Sequence, residues 1–277
     1  MVCTLFPALL MAQESPVTER LSLSYSDSTP GHRKQQLDLY LPSSPAARFP
    51  LMVFFHGGGL QSGDKSDVHN KEVARRFASQ GVGVAMVNYR LSPEAKFPAF
   101  IEDGALAVAW LQKNAENLGF DRIFLGGHSA GGYLAAMLLM DGSYFRNAGV
   151  DGKSIAGGIL LSAQMVTHAA IRESKGLSRR NIIVDEAAPL FHLRKETPPL
   201  LLLCADKDMP ARVEENRLFV AALQGIAGNP KVTLQVLEQR DHASLFTKLL
   251  SEGDSAGQLI LDFLRTGQLA DGTLAEQ

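Results

Sequence analysis

The sequence predicts an α/β fold: a doubly wound, mostly parallel sheet with two antiparallel N-terminal strands and a small helical cap insertion. Three observations carry this prediction. Nearly continuous apolar runs recur along the chain, as strands buried on both faces require. Stretches with helical periodicity separate them. Two early segments instead alternate apolar and polar residues, the pattern of a strand with one wet face.

Residues 20–25 (RLSLSY) and 36–41 (QLDLYL) are the alternating pair, with a turn at 28–31 and Pro42 ending the second strand. The buried-strand runs are 51–55 (LMVFF), 82–87 (VGVAMV), 123–125, 159–161 and 200–204. A last strand at 232–237 (VTLQVL) alternates and belongs near an edge. Helical periods fill 68–80, 101–114, 133–140 and 212–224, with Ala105, Val108, Ala109 and Trp110 on the inner stripe of the second and Val213, Leu218, Phe219 and Leu223 on that of the last. Strand-helix alternation of this length gives a parallel sheet covered on both faces. Residues 164–198 break the rhythm. A structureless run there is improbable in a compact domain, so a small helical cap, including 186–193, is expected.

The 277 residues suffice for one large core or two modest domains. The expected organisation is a leader or clipped signal remnant at 1–19, a single domain at 20–267 with the cap at 164–198, and a flexible tail at 268–277. Residues 2–11 are apolar but too short to span a bilayer, and no Lys or Arg precedes them. Localisation therefore stays open between cytoplasmic and, if 1–12 are a signal remnant, secreted or periplasmic. A net charge of -2 without a Lys/Arg cluster argues against a nucleic-acid partner, and no segment predicts stable membrane insertion. Oligomeric state is not legible. The seven histidines show no metal-ligand spacing, and Cys204 sits in an apolar run far from Cys3, so no metal, other cofactor or disulfide framework is predicted.

Chemistry concentrates at Gly127-His128-Ser129-Ala130-Gly131, which follows a buried strand and opens a helix. That places Ser129 at a sharp strand-to-helix turn, held exposed as a nucleophile, where only small neighbours avoid collision. A serine hydroxyl needs a base, and the base needs an acid to hold its tautomer. His242, the last histidine, follows the last predicted strand and is the candidate base; His192 is the fallback, and His128 orients its neighbours. Asp208, a few residues beyond strand 200–204, is the candidate acid. Asp206 is read as a turn cap and Asp241 as a cap for a helix near Ala243. His56-Gly57-Gly58-Gly59 follows another buried strand, where the amides of Gly58 and Gly59, with that of Ala130, suit an oxyanion hole.

With these residues in place, the sequence resembles the α/β-hydrolase superfamily, in its His-Gly-Gly-Gly esterase/lipase branch. Further matching features are LDLYLP at 37–42, NYRLSPE at 88–94, FPA at 97–99, Asp103 and Trp110, so the resemblance covers about residues 20 to 265. It implies Ser129, Asp208 and His242 as catalytic triad, Gly58, Gly59 and Ala130 as oxyanion hole, and a bracing role for Tyr89, Arg90 and Asp103. The hormone-sensitive-lipase-like members usually carry an aspartate where His128 stands and a helical N-terminal cap; this chain begins with strands. It therefore looks closer to feruloyl-esterase-like carboxylesterases and kynurenine-formamidase-like hydrolases. The acid turn departs too, with Ala205 where the family usually has glycine. The implied function is serine carboxylic ester hydrolysis through an acyl-enzyme, on short-chain or small aryl or sugar esters, with a small-molecule ester as the partner. Arylformamide hydrolysis by the same residues is the alternative, and a noncatalytic hydrolase-like binding protein the reading from a different class.

Overall fold

A computed structural model describes residues 16–26, 32–43 and 47–269. The expected turn at 28–31, residues 1–15 of the expected leader and 270–277 of the expected tail lie outside the described residues. In chain order the elements are β1 (Val17–Ser24), β2 (Gln36–Pro42), β3 (Phe49–Phe55), α1 (Val68–Ser79), β4 (Gly83–Val87), α2 (Ala99–Lys113) and α3 (Ala115–Leu118). Then follow β5 (Phe120–His128), α4 (Ala130–Met140), α5 (Ser143–Ala148), β6 (Ile155–Leu161) and α6 (Ala169–Ser174). The last are β7 (Leu200–Lys207), α7 (Arg212–Gly225), β8 (Val232–Asp241), α8 (Ser244–Thr247) and α9 (Ser255–Thr266).

The strands form one sheet in the order β1-β2-β4-β3-β5-β6-β7-β8. β1 runs antiparallel to β2, and β2 antiparallel to β4; all other neighbours are parallel. The alternating segments thus become the antiparallel pair, though neither keeps one wet face: edge strand β1 is exposed or half-buried throughout, and β2, between β1 and β4, is buried from Leu37 to Pro42. The alternating last strand becomes the far edge. Side chains along β3 alternate between two cores. Val53 and Phe55 face α2, α4 and α7 through Phe100, Leu134 and Phe219. Met52 and Phe54 face α1, α8 and α9 through Phe77, Phe246 and Phe263. Every residue of α4 is buried, which is why it reads as apolar all round.

Strand order reverses at β3. The chain leaves β3 for β4 on one side and later returns as β5 on the other, opening a crevice at their carboxyl ends. Phe55, last of β3, lies in register with Gly127 near the end of β5. The glycine run and Ser129 therefore emerge side by side.

The structure departs from the sequence expectations in four further places. β7 and β8 continue to Lys207 and Asp241, which pair with each other beyond a register shift, so 238–241 is strand rather than loop. The Asp206 carboxylate accepts the Arg240 amide at 2.8 Å and holds this extension closed. On α7, Leu218 is 55% exposed, because the inward face follows Arg212, Asn216, Phe219 and Leu223 at three- and four-residue steps. Ala109 and Trp110 on α2 are only half-buried, flanking its buried stripe. In the 164–198 segment, the helix expected at 186–193 contracts to a 3-10 turn at Pro189–His192. The Leu190 amide there donates to Met165 at 3.0 Å instead of joining a helical ladder. The insertion's α-helix is α6, six residues long.

One buried ion pair ties the antiparallel edge to the loop after β3. Lys65 Nζ lies 2.7 Å from Asp38 Oδ1, with side chains 6% and 3% exposed. The Ser22 amide donates to the same oxygen at 2.7 Å. Asp38→Ala would leave an unpaired buried ammonium and is expected to cost about 3–5 kcal/mol. Replacing both partners, as Asp38→Leu with Lys65→Met, should recover most of that loss. Urea denaturation midpoints of the single and double variants test this.

Candidate active site

The turn between β5 and α4 is set by backbone contact. A Cβ on Gly131 would lie 1.9 Å from the Phe55 carbonyl oxygen, and one on Gly127 would lie 2.3 Å from the Gly131 carbonyl carbon. Only glycine lets the chain close this tightly. Ser129, between them, is forced to φ 57° and ψ -117°, a conformation that costs a side-chain-bearing residue of order 1–3 kcal/mol. Its amide donates to Leu161 at 2.8 Å, and its carbonyl accepts the Tyr133 amide at 2.9 Å, starting α4. The Ala130 amide falls in the first helical turn, where no intrahelical acceptor exists.

His242 immediately follows β8. Its Nε2 lies 2.9 Å from Ser129 Oγ, and its Nδ1 lies 2.7 Å from Asp208 Oδ1. The carboxylate can only accept, so Nδ1 carries the hydrogen and Nε2 presents its lone pair to the Ser129 hydroxyl. The Asp208 side chain is 1% exposed. Burial alone would raise its pKa, but hydrogen bonds from His242, Ser162 and the Met209 amide outweigh that and hold it at about 2. The acid is thus ionised across the neutral range. Three side chains from loops far apart in sequence form one hydrogen-bonded line.

The competing candidates stand elsewhere. Asp206 bonds the Arg240 amide and caps nothing catalytic. Asp241 accepts the Ser244 amide at 2.7 Å and caps α8, as its sequence position suggested. His192 stays in the insertion, its Nε2–H donating to the Glu186 carbonyl at 2.8 Å. His128 turns beneath the site: its Nε2–H donates to the His242 carbonyl at 2.8 Å, and its ring stacks on Phe246. Burial lowers its pKa to about 4, so it supports the His242 loop as a neutral ring.

The glycine run passes close beside the nucleophile. A Cβ on Gly57 would lie 3.6 Å from the Cβ of Ser129, and Gly58 takes φ +113°. Tyr89 Oη donates to the His56 carbonyl at 2.7 Å and its ring stacks on His56. Arg90 pairs with the fully buried carboxylate of Asp103 at 2.8 Å. The run is therefore braced from below, with Gly58, Gly59 and Ala130 on the two segments flanking Ser129.

Sequence reading missed two supports. Ser162, at φ 46° just after β6, donates its hydroxyl to Asp208 Oδ2. Arg212, from the start of α7, donates to the Ser162 carbonyl at 2.6 Å. The only sequence signal was a lone serine ending the apolar strand beside the acid's strand. Among the described residues no group of three His, Cys, Asp or Glu is arranged to hold a metal ion, and no helix is long and apolar enough to cross a membrane.

Residues 37–154 match the BD-FAE family and residues 99–265 the Prolyl oligopeptidase family. Among curated relatives, probable carboxylesterase 6 of Arabidopsis thaliana is 43% identical over 108 residues, 35% of this chain and 32% of that protein. The kynurenine formamidase of Salmo salar is 23% identical over 235 residues, 83% of this chain and 78% of that protein. The chain thus spans about a third of the length of the first relative and over three quarters of the second. A solved truncated carbohydrate esterase from gut microbiota shares the fold, with a TM-score of 0.74 at 17% identity, covering 92% of this chain and 98% of that one.

The two aspartates give the acid assignment a comparative test. Asp208→Asn keeps the volume but favours the wrong imidazole tautomer and is expected to lower kcat by roughly 10⁴-fold. Asp206→Asn should cost far less, since it only loosens the end of the β7–β8 pairing. Steady-state rates in the reverse order would move the acid to Asp206.

Proposed function

The chain belongs to the prolyl oligopeptidase family of the α/β-hydrolase superfamily, with relatives in the esterase/lipase branch, and from that premise we propose that it hydrolyses small carboxylic esters through an acyl-enzyme. The observation that carries this reading is the line Ser129 Oγ, His242 Nε2, His242 Nδ1, Asp208 Oδ1, with both contacts within hydrogen-bond range.

In the proposed cycle Ser129 Oγ attacks the ester carbonyl carbon while His242 Nε2 takes its proton. Negative charge moves to the carbonyl oxygen, where the amides of Gly58, Gly59 and Ala130 receive it. Collapse breaks the bond to the alcohol oxygen, which leaves with the proton from His242. Water then enters, loses a proton to the same nitrogen and releases the acid. Asp208 stays ionised and stabilises the imidazolium at each stage. The elbow suits this chemistry because the strained Ser129 conformation holds Oγ clear of α4 and in line with His242.

Formamide hydrolysis is the second reading, favoured by the match over most of the kynurenine formamidase of Salmo salar. The same atoms serve both reactions; only the leaving group differs. Rates on N-formylkynurenine and on a short aryl ester, measured with one preparation, separate them.

Ser129→Ala should abolish covalent labelling by a fluorophosphonate and lower kcat by several orders of magnitude, leaving about a 10³-fold residual rate over water from binding and the oxyanion hole. Labelling or near-normal turnover in that variant would sink the mechanism.

Acyl length tests the size of the site. The insertion contributes one six-residue helix and one 3-10 turn, too little chain to enclose many methylenes. Each buried methylene adds roughly 0.8 kcal/mol, and the gain stops when the chain outruns its pocket. Across p-nitrophenyl esters, kcat/KM is expected to peak at about two to four acyl carbons and to fall by about eight to ten. An optimum on long chains, with a jump at an oil–water interface, would replace esterase by lipase.

A further inference from the structure

The chain leaving β6 touches both the nucleophile's turn and the acid. The Leu161 carbonyl accepts the Ser129 amide at 2.8 Å. Ala163 lies against the same turn, since a Cβ on Gly132 would come within 2.9 Å of the Ala163 Cβ. Between these contacts Ser162 turns toward the acid. Its amide donates to the Leu203 carbonyl on β7 at 2.8 Å, and its hydroxyl donates to Asp208 Oδ2. Residues 161–163 thus form a strap that spans nucleophile and acid without passing through His242.

The helix that follows the acid also clamps this strap. Arg212 donates to the Ser162 carbonyl at 2.6 Å and Asn216 Nδ2–H to the Ala163 carbonyl at 2.9 Å, while Glu215 accepts the Met165 amide at 3.2 Å. Ser162 itself is fully buried and takes φ 46°. Glycine adopts that conformation freely, whereas a residue with a Cβ is strained in it. Strain kept at such a position points to a task for the side chain, and its one polar atom is spent on the acid.

The effect on the acid is geometric. The last torsion of an aspartate is broad, so a carboxylate held at one oxygen can swing. Asp208 Oδ1 takes His242 Nδ1–H and the Met209 amide, both at 2.7 Å. Oδ2 takes the Ser162 hydroxyl and, at 3.2 Å, the Ala205 amide. Without the hydroxyl, only the 3.2 Å bond would remain at that oxygen. The His242 side chain is 24% exposed, so packing alone does not fix its ring, and the aim of Nε2 follows the carboxylate.

We propose that Ser162 is a positioning residue of this site: its hydroxyl fixes the plane of the Asp208 carboxylate, and through it the ring of His242, while its strap keeps the acid in register with Ser129. The inference rests on the ester-hydrolase reading and adds to it a residue that acts only through Asp208.

The test is the rate at which a fluorophosphonate labels Ser129 in the full chain, followed as a mass shift of the intact protein, with kcat and KM on p-nitrophenyl acetate beside it. Ser162→Gly removes the hydroxyl and relieves the backbone; Ser162→Ala removes the hydroxyl and keeps the strain. Both are expected to label roughly 10- to 100-fold more slowly, the range of one hydrogen bond to a charged group, with kcat falling alike and KM within about twofold. In the Asp208→Asn background, adding Ser162→Gly should change labelling by less than about twofold, because the tautomer that the hydroxyl helps to hold is already lost. A merely structural role would instead multiply the two losses. Multiplied losses, or labelling at the unaltered rate in both single variants, overturn the role. Labelling of the unaltered chain without turnover of any short ester would overturn the ester-hydrolase reading and leave the role of Ser162 standing.

Discussion

Backbone packed on backbone at the end of β5 is the constraint on which the site depends. Gly131 sits so close to the Phe55 carbonyl that a single added carbon would overlap it, and Gly127 is equally close to Gly131. This approach brings α4 down onto the ends of β3 and β5 and drives Ser129 into a positive-φ conformation. The strain is tolerated because α4 is buried along its whole length and cannot relax outward without exposing an apolar cylinder.

The opposite arm of the site is held by electrostatics. Asp208 is nearly inaccessible, yet its carboxylate collects His242, Ser162 and two backbone amides, those of Ala205 and Met209. An ionised carboxylate removed from water needs such a set of donors. Ser162 is in turn gripped through its carbonyl by Arg212. The extended β7–β8 pairing delivers Asp208 and His242 to the same edge of the crevice. Arg240, paired with Asp254 at the start of α9, anchors the end of β8 two residues before His242.

Between these arms runs the glycine loop, whose shape is imposed from beneath. Tyr89 and His56 stack under it, Asp103 and Arg90 lock the segment that follows β4, and Lys65 reaches back to Asp38 on β2. The antiparallel strands at this edge therefore do more than extend the sheet: through one buried ion pair they fix the far end of the loop that borders Ser129. The same arrangement leaves His56 Nε2 buried and without a hydrogen-bond partner among the described residues, because its Nδ1 is spent on the Gly57 carbonyl.

Local chemistry made much of this legible in the sequence. Buried strands announce themselves as apolar runs and the elbow as small residues packed around Ser129, because each pattern answers a constraint acting over a few residues; alternation found the antiparallel pair but not its burial, since β2 is covered on both faces and β1 on neither. The order serine, acid, histidine follows from where loops leave a doubly wound sheet. Tertiary structure alone decided what depends on neighbours distant in the chain. Strands 200–204 and 232–237 lengthened because Asp206 and Arg240, 34 residues apart, bond across them. Leu218 was left in solvent because the sheet meets a different face of α7. The hydroxyl of Ser162, on a neighbouring strand end, reached the Asp208 carboxylate only by folding, and the tautomer of His128 was set by the His242 carbonyl, 114 residues away. Periodicity records which face of an element is buried; it carries no record of which partner waits there.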